Sequence, residues 1–471
     1  MEDWSDISKK MLSILLFTLT LELLVIILTA FGPGSPTIPQ CFIAFATFTF
    51  GFFPAFLYVS KKESGIPFLP VFGVVYTIYY ALPIFILKKY TIGLVRPSAD
   101  SLSKALSLAA LGLFILLIAY YKIPGRHISR FVPKISIYWD LSKAKFWAVI
   151  FCILGVAANF LLLVVNVPVQ FAQIGLFLSD LLIIGIGILF ILQLQGRLDR
   201  IGKALLWVVF LPSIFLLELA SGSIAPILLT IIFLSFTYWC FARKIPWKPA
   251  IIMVLLLVFL SSAKNEFRNL SWRGTSSGKN PIEKSMLFIK IAFTKGDAFN
   301  KGCNIAAGRT AHNLLSFAHV LDLTPKIVPY WMGNSYRALL WAPIPRVVFP
   351  WKPAITLGQE FGHRYGFLQT HDKATSWNLP QLVEMYANFG IAGIIFGMFI
   401  MGIIYRLFYE MFCHPNAGEG GALIGIFVFT RLTNIESDFS RVFGNIVYYI
   451  ILLIIISSLM KGSGTGQCPK K

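Results

Sequence analysis

Apolar runs long enough to cross a lipid bilayer recur from one end of this chain to the other. A transmembrane helix needs about 20 mostly apolar residues, and windows of that length predict twelve spans. They lie near residues 11–31, 41–59, 67–87, 105–121, 146–166, 176–195, 205–221, 226–242, 250–263, 389–405, 421–437 and 443–460. Because backbone polar groups in lipid must be hydrogen-bonded within the chain, such spans fold as helices. The sequence therefore predicts an all-α polytopic membrane protein with about twelve transmembrane helices.

The composition excludes an ordinary soluble protein. Of the 471 residues, 57% are hydrophobic and 13% are charged, against roughly 45–50% and about 25% in soluble domains. The 6 cysteines form no CxxC pair, which argues against a disulfide framework and a zinc site. The net charge of +20 is not gathered on a soluble helix or sheet that could enter a nucleic-acid groove. Membrane lipids and phosphate-bearing lipid substrates are the expected partners, without nucleic acid, metal or cofactor.

The basic residues predict the orientation of the chain in the membrane. The connectors that follow even-numbered spans, together with the termini, hold 20 Lys and Arg residues, whereas the short connectors on the other face hold six. Cytoplasmic loops of membrane proteins are enriched in Lys and Arg. Both termini are therefore expected in the cytoplasm, and the chain is expected in the cell inner (plasma) membrane.

One long segment, residues 264–387, divides the chain. It separates an N-terminal bundle of about nine spans, residues 1–263, from the C-terminal spans and short cytoplasmic tail, residues 388–471. Its 15 basic and seven acidic residues leave a net charge of +8. Its length predicts a large external, periplasmic loop that carries function. Helical spacing of apolar residues in 282–293 and 311–323 predicts short amphipathic helices on the membrane face.

Five motifs follow one another in the second half of this loop and at the start of the next span. They are Gly308-Arg309-Thr310, Leu323-Thr324-Pro325, Gly333-Asn334-Ser335-Tyr336, the Pro-rich run from Pro343 to Pro353, and Glu384-Met385-Tyr386-Ala387-Asn388-Phe389-Gly390. The series resembles the O-antigen polymerase (Wzy) family and related oligosaccharide repeat unit polymerases, most densely over about residues 305–400. One departure is Ser221-Gly222-Ser223, which relatives often continue with Arg and which Ile224 follows here.

The resemblance implies a GT-C-like helical bundle and a membrane glycosyltransferase. Such an enzyme moves a growing glycan from an undecaprenyl-diphosphate-linked donor to a sugar hydroxyl of a lipid-linked acceptor, and so builds a surface polysaccharide. The family implies a metal-independent site and a partner that regulates chain length. Two alternatives stay open: an O-antigen ligase-type transferase, and a non-enzymatic flippase or transporter of lipid-linked oligosaccharide. Cations concentrated in the loop rather than within the spans favour the polymerase over a flippase.

Arg346 and Lys352 are the first candidates to bind the diphosphate. They lie six residues apart in the Pro-rich run, and charge-assisted hydrogen bonds stabilise the negative charge that builds on a departing diphosphate. Arg268, Arg309 and Arg337 are the next candidates. The alternative for each is that it reaches anionic lipid headgroups or pairs with an acid of the loop.

Glu384 is the first candidate for the general base, because a sugar hydroxyl attacks poorly unless its proton is removed. It precedes the span predicted to open at Phe389. The alternative is an ordinary acid in the first turn of a helix, where the helix dipole favours negative charge. Tyr386 is a candidate for contacting sugar, or else belongs to the aromatic belt at the membrane surface.

Four charged residues interrupt the last hydrophobic region of the chain. They are Arg431, Glu436, Asp438 and Arg441. Charges do not lie unpaired in lipid, so they predict a short external hairpin between the final spans. This hairpin either completes the basic mouth of the site or neutralises itself in two internal pairs.

Overall fold

The computed structural model of the chain is helical. It describes residues 4–60, 65–87, 95–122, 129–165, 167–242, 244, 246–273, 280–294, 298–342, 344, 346, 348–354, 356–373, 375–414 and 416–462. Within these ranges, the β pairing consists of one antiparallel bridge between Trp139 and Lys461. The predicted all-α class is confirmed for the described part of the chain.

The described residues of the first half of the chain form eleven helices, most of them apolar. They are α1 Trp4–Phe31, α2 Ile38–Ser60, α3 Phe68–Tyr80, α4 Pro83–Ile86, α5 Ala99–Tyr121, α6 Leu141–Val164, α7 Val169–Leu194, α8 Arg200–Ala204, α9 Leu211–Ser221, α10 Ala225–Ala242 and α11 Trp247–Ser261. A π-helical stretch, Leu205–Phe210, joins α8 to α9.

In the second half, the part of the chain that the structure describes forms nine helices of mixed polarity and length. They are α12 Lys264–Arg273, α13 Pro281–Thr294, α14 Ala298–Leu323, α15 Arg337–Trp341, α16 Leu357–Arg364, α17 Gln381–Phe412, α18 Gly418–Leu432, α19 Phe439–Phe443 and α20 Ile446–Leu459. The turns Ser129–Phe131 and Asn334–Tyr336 are 3₁₀-helical.

Nine helical stretches in the described residues are long and apolar enough to cross a membrane. They are Leu12–Phe31, Ile38–Ser60, Ala99–Tyr121, Leu141–Val164, Gln173–Leu194, Arg200–Ser221, Ala225–Ala242, Gln381–Phe412 and Phe439–Leu459. The bent pair Trp247–Ser261 and Lys264–Ser271 makes a tenth if it counts as one span. The chain is therefore an all-α membrane protein.

Apart from the bent pair, two of the twelve predicted spans correspond to helices that are short for a bilayer. The window 67–87 contains the 13-residue α3 and the four-residue α4, and the window 421–437 overlaps the 15-residue α18. At 1.5 Å per residue, a 15-residue helix is only about 22 Å long. Both α3 and α18 are largely buried in the protein. A high hydropathy at these windows can therefore arise from burial inside the protein as well as from contact with lipid. The count of twelve spans remains a prediction.

Small residues let the helices of the bundle touch backbone to backbone. A Cβ atom added to Gly73 in α3 would lie 2.1 Å from the carbonyl oxygen of Gly51 in α2. One added to Gly155 in α6 would lie 2.2 Å from the backbone nitrogen of Leu182 in α7. Because lipid supplies no hydrophobic force between helices, such close packing is what holds a membrane bundle together.

The connectors that follow the fourth, sixth and tenth predicted spans, and the stretch after the twelfth, lie at one end of the bundle. The backbone N–H of Ile135 donates to the carbonyl of Met411 at 3.0 Å, and Nε2 of Gln195 donates to Oε1 of Glu419 at 3.1 Å. The bridge between residues 139 and 461 belongs to the same end. These contacts agree with the expectation that connectors after even-numbered spans share one face of the membrane.

The described residues of 264–387 lie at the other end but are more deeply packed than the expected surface loop. The predicted helices 282–293 and 311–323 fall within α13 and α14. However, α14 has 26 residues, and most of its second half is buried. Asp322 at its end accepts hydrogen bonds from the hydroxyls of Ser98 and Ser101 at the start of α5, at 2.8 and 2.6 Å. Apolar spacing revealed the helix but not its burial against α5.

The predicted topology can be checked with Cys303, which is exposed on α14. In a variant that keeps only this cysteine, a membrane-impermeant maleimide added to intact cells is expected to label the protein. A variant that keeps only Cys468, in the predicted cytoplasmic tail and outside the described residues, should react only after the membrane is opened. The reverse pattern would show that the assigned orientation is inverted.

Candidate functional site

A cavity of about 460 Å³ lies where the long segment meets the ends of the spans. Four cations line it, contributed by three separate parts of the chain: Arg346, Lys352, Lys373 and Arg441. Among the described residues, the only carboxylate in its wall is Asp438. The wall therefore carries an excess of positive charge, which suits a multiply charged anion.

The cavity lies at the ends of candidate membrane spans. Gln173, in its wall, is the first residue of one candidate span, and Arg441 and Asn445 lie in the first two turns of another. Leu379 lies just before the start of α17. A ligand in this cavity would be held next to the lipid headgroups.

The Pro-rich run is closed by its own two cations. Nη1 of Arg346 donates to the carbonyl of Lys352 at 2.6 Å, and Nη2 donates to that of Pro353 at 3.0 Å. In return, Nζ of Lys352 donates to the carbonyls of Ala342 and Ile344 at 3.1 and 3.0 Å. Pro343, Pro345 and Val347 lie outside the described residues. The two predicted cations are thus brought together at the cavity, each tied to backbone.

Lys352 contributes mainly to the structure of this turn. It is buried, and burial followed by repulsion from Arg346 lowers the pKa of its ammonium group. Lys352→Met keeps the aliphatic stem but leaves the carbonyls of Ala342 and Ile344 without their donor. We expect thermal unfolding in detergent to show a loss of about 1.5–3 kcal/mol, the usual contribution of hydrogen bonds to a charged group.

Lys373→Met is the matched control for this change. Lys373 also lines the cavity, but its side chain is exposed, and exposed substitutions usually stay within about 0.5 kcal/mol. Equal stability of the two variants would contradict a structural role for the Lys352 ammonium group.

A second group of cations lies next to the cavity, on the far side of the lining residue Asn378. Nη2 of Arg309 and Nδ2 of Asn378 both donate to Oε2 of Glu436, at 2.6 and 3.0 Å. Lys264 lies within electrostatic range of Arg309, Glu436 and Arg268. Arg309 is therefore paired with Glu436, and Arg268 lies within electrostatic range of Arg309. Neither arginine lines the cavity.

Arg268 also lies against the Ser221-Gly222-Ser223 turn. Its Nε donates to the carbonyl of Gly222 at 3.1 Å. Gly222 adopts φ +71° and ends α9, a left-handed conformation that glycine adopts without strain. No Arg follows this turn in the sequence, but Arg268 from α12 binds its carbonyl.

Glu384 is enclosed in the protein rather than facing the cavity. It is 0% exposed; Oε1 accepts a hydrogen bond from the hydroxyl of Ser335 at 2.7 Å, and Oε2 accepts one from the N–H of Phe439 at 2.8 Å. Nδ2 of Asn388 donates to the same Ser335 hydroxyl at 2.8 Å. This carboxylate links three segments of chain, and the geometry gives it no open path to an acceptor hydroxyl.

The Asn388-Phe389-Gly390 element is a kink in α17, which begins at Gln381 rather than at the predicted 389. Gly390 has φ +61° and ψ −144°, a combination essentially restricted to glycine. A Cβ atom there would lie 2.8 Å from the hydroxyl oxygen of Tyr330. Oδ1 of Asn388 accepts a hydrogen bond from the N–H of Gly333 at 2.9 Å. The kink therefore docks the segment that carries the Gly333-Asn334-Ser335-Tyr336 motif.

The two remaining predicted site residues lie away from the cavity wall. Tyr386 is buried, with its ring 5.7 Å from that of Phe317 and 6.2 Å from that of Tyr330. Arg337 is exposed at the first position of α15. The roles assigned to them stay predictions.

Two of the four charges of the last hydrophobic region, Arg431 and Glu436, pair with distant parts of the chain. Arg431 donates to Asp180 of α7 at 2.6 Å, and Glu436 accepts from Arg309 of α14. The expectation of two internal pairs is therefore wrong, because the partners come from helices distant in sequence. Arg441 lines the cavity, as expected of a basic mouth.

Comparison with known proteins gives one match. A family model described as a domain of unknown function, DUF8712, covers residues 128–465. The chain belongs to this family. Every residue that lines the cavity falls within the matched DUF8712 region. No curated protein and no solved structure matches the chain.

The DUF8712 region also holds cavity residues that sequence reasoning did not single out. Gln173, Lys373, Asn378 and Ser440 all line the cavity. For Gln173, the only signal in the sequence was a polar amide at the edge of an apolar window. Lys373, Asn378 and Ser440 have no distinguishing local pattern, since their role depends on which segments pack together.

Proposed function

We propose that this protein polymerises polyprenyl-diphosphate-linked oligosaccharide repeat units into a surface polysaccharide. The observation that carries the proposal is the cavity with four cations and one carboxylate in its wall. A diphosphate leaving group gains negative charge as its bond to the sugar breaks, and fixed cations in a site shielded from water lower the energy of that state.

The surroundings of the cavity fit a lipid-linked substrate. Trp351 and Val348, on the same turn as Arg346, are 80% and 73% exposed. Tryptophan is enriched at the interface between membrane and water, so this turn is suited to the headgroup layer. A polyprenyl chain could then stay in lipid while its diphosphate enters the cavity.

The motifs that resemble repeat-unit polymerases surround this site. Arg346 comes from the Pro-rich run, and Arg309 of the Gly308-Arg309-Thr310 motif joins the second cation cluster. Glu384 and Asn388 of the last motif pack against Ser335 of the preceding one. The resemblance and the charged cavity therefore support the same reaction class.

The deciding experiment uses the full-length protein in detergent or proteoliposomes with a polyprenyl-diphosphate-linked repeat unit. A ladder of longer glycans on electrophoresis is the expected result. Transfer to lipid A core without a ladder would instead support a ligase. Movement of the substrate between leaflets without covalent change would support a flippase, and either outcome would overturn the proposal.

A further inference from the structure

Asp438 is the only carboxylate in the cavity wall among the described residues. It caps the N-terminus of α19, where its Oδ1 accepts the N–H of Arg441 at 2.9 Å. Aspartate is among the preferred residues for this position. The cap fixes the carboxylate in one orientation, and Asp438 keeps 8% of its surface exposed. It is therefore both held in place and in contact with the space that a substrate would fill.

Glu384 supports this arrangement from the protein interior. The N–H that donates to its Oε2 belongs to Phe439, the residue directly after Asp438. Its other oxygen is bound by the hydroxyl of Ser335. Glu384 thus anchors the start of α19 to α17, and with it the backbone that presents Asp438.

We infer that Asp438 accepts the proton of the acceptor hydroxyl and that Glu384 is a positioning residue. The inference rests on the proposed function. As the acceptor oxygen forms its bond to the anomeric carbon, the bond from that carbon to the diphosphate oxygen breaks. The diphosphate leaves with the electron pair, and the hydroxyl proton passes to a carboxylate oxygen of Asp438.

The surroundings of Asp438 suit this step. Arg346 and Lys373 line the same cavity and lie where a departing diphosphate would be stabilised. Burial raises the pKa of Asp438, against the opposing effect of the Arg441 backbone and guanidinium, and a higher pKa makes a carboxylate a better proton acceptor. Ser440 is 2% exposed, lines the cavity, and its hydroxyl has no hydrogen-bond partner in the described part of the chain.

The test removes the carboxylate and then returns one from solution. Asp438→Ala is expected to lower chain extension by ~10²–10⁴-fold, and added sodium formate is expected to restore it by about tenfold or more. Formate fits the space that the side chain leaves. Asp438→Asn keeps the volume and the helix cap, so it should fold, lose the same activity and show no rescue. Both variants should still bind the lipid-diphosphate donor.

Asp140→Ala is the matched control. Asp140 caps α6 through the N–H of Lys143 at the same 2.9 Å, at the opposite end of the bundle. Its loss removes an equivalent cap and should leave chain extension unchanged, with no response to formate.

Glu384→Ala and Glu384→Gln separate the two carboxylates. Both are expected to lose activity without recovery in formate, because positioning cannot be restored by a small ion. Formate rescue of Glu384→Ala, wild-type activity of Asp438→Asn, or failure of formate to act on Asp438→Ala would each overturn the inference. These outcomes require that the wild-type protein forms a ladder; if it does not, the proposed function fails first, and the inference with it.

Discussion

Arg346→Ala is expected to lower chain extension by ~10²–10³-fold, the loss typical of removing one donor to developing negative charge. Arg346 combines two properties that favour a role in binding the diphosphate. It lines the cavity and it closes the turn through the carbonyls of Lys352 and Pro353. Its remaining guanidinium donors can therefore meet a diphosphate in a fixed direction.

Arg346→Lys should recover little of this activity. An ammonium group cannot bind two carbonyls of the turn and a diphosphate in the planar arrangement of a guanidinium. Arg200→Ala is the control, since it removes an exposed cation at the first position of α8, at the other end of the bundle. Chain lengths would be measured on electrophoresis beside protein abundance and donor binding. Full activity of Arg346→Ala at normal abundance would exclude Arg346 from the mechanism.

The membrane architecture could be predicted from sequence because its signal is local. Each of the nine long apolar helices corresponds to a hydropathy window, and the ends differ by a few residues at most positions. The largest shift is at α17, predicted from 389 and observed from Gln381. There the polar residues Glu384 and Asn388 interrupt the apolar pattern. They are buried against Ser335 rather than exposed, and hydropathy cannot distinguish the two.

The candidate site was predictable only in part. The Pro-rich run marked Arg346 and Lys352, since two cations six residues apart in a constrained turn are a local pattern. Their cavity partners Lys373 and Arg441 come from other segments. Their proximity depends on how the segment before α17 and the short helix α19 pack, which no spacing in the sequence encodes.

The carboxylate assignments show the same limit. The sequence favoured Glu384 because it precedes a span, and Asp438 appeared only as one charge in a hairpin. Position along the chain placed both near the membrane surface. The structure distinguishes the two carboxylates. Ser335 and Phe439 enclose Glu384, whereas Asp438 lines the cavity.

The ion pair between Arg431 and Asp180 has the largest expected effect on stability. Nη2 of Arg431 donates to Oδ1 of Asp180 at 2.6 Å, and the hydroxyl of Tyr449 donates to Oδ2 at 2.5 Å. The guanidinium also lies 5.1 Å from the ring centre of Phe427. These contacts join α7, α18 and α20. The cavity residue Gln173 lies two turns before Asp180 on α7. The cavity residue Asn445 lies one turn before Tyr449, at the start of α20.

Arg431→Ala is therefore expected to destabilise the protein by about 3–5 kcal/mol, because it leaves the Asp180 carboxylate without its counter-charge inside the bundle. Thermal unfolding in detergent measures the change. The double variant Asp180→Leu with Arg431→Met should recover most of the loss, since an apolar pair requires no desolvation of charge. Lys104→Ala is the matched control: Lys104 and Asp100 also lie 2.6 Å apart, but both are exposed, and such pairs contribute about 0–1 kcal/mol. If Arg431→Ala cost no more than Lys104→Ala, the pair would not hold these helices together, and the walls of the cavity would need another support.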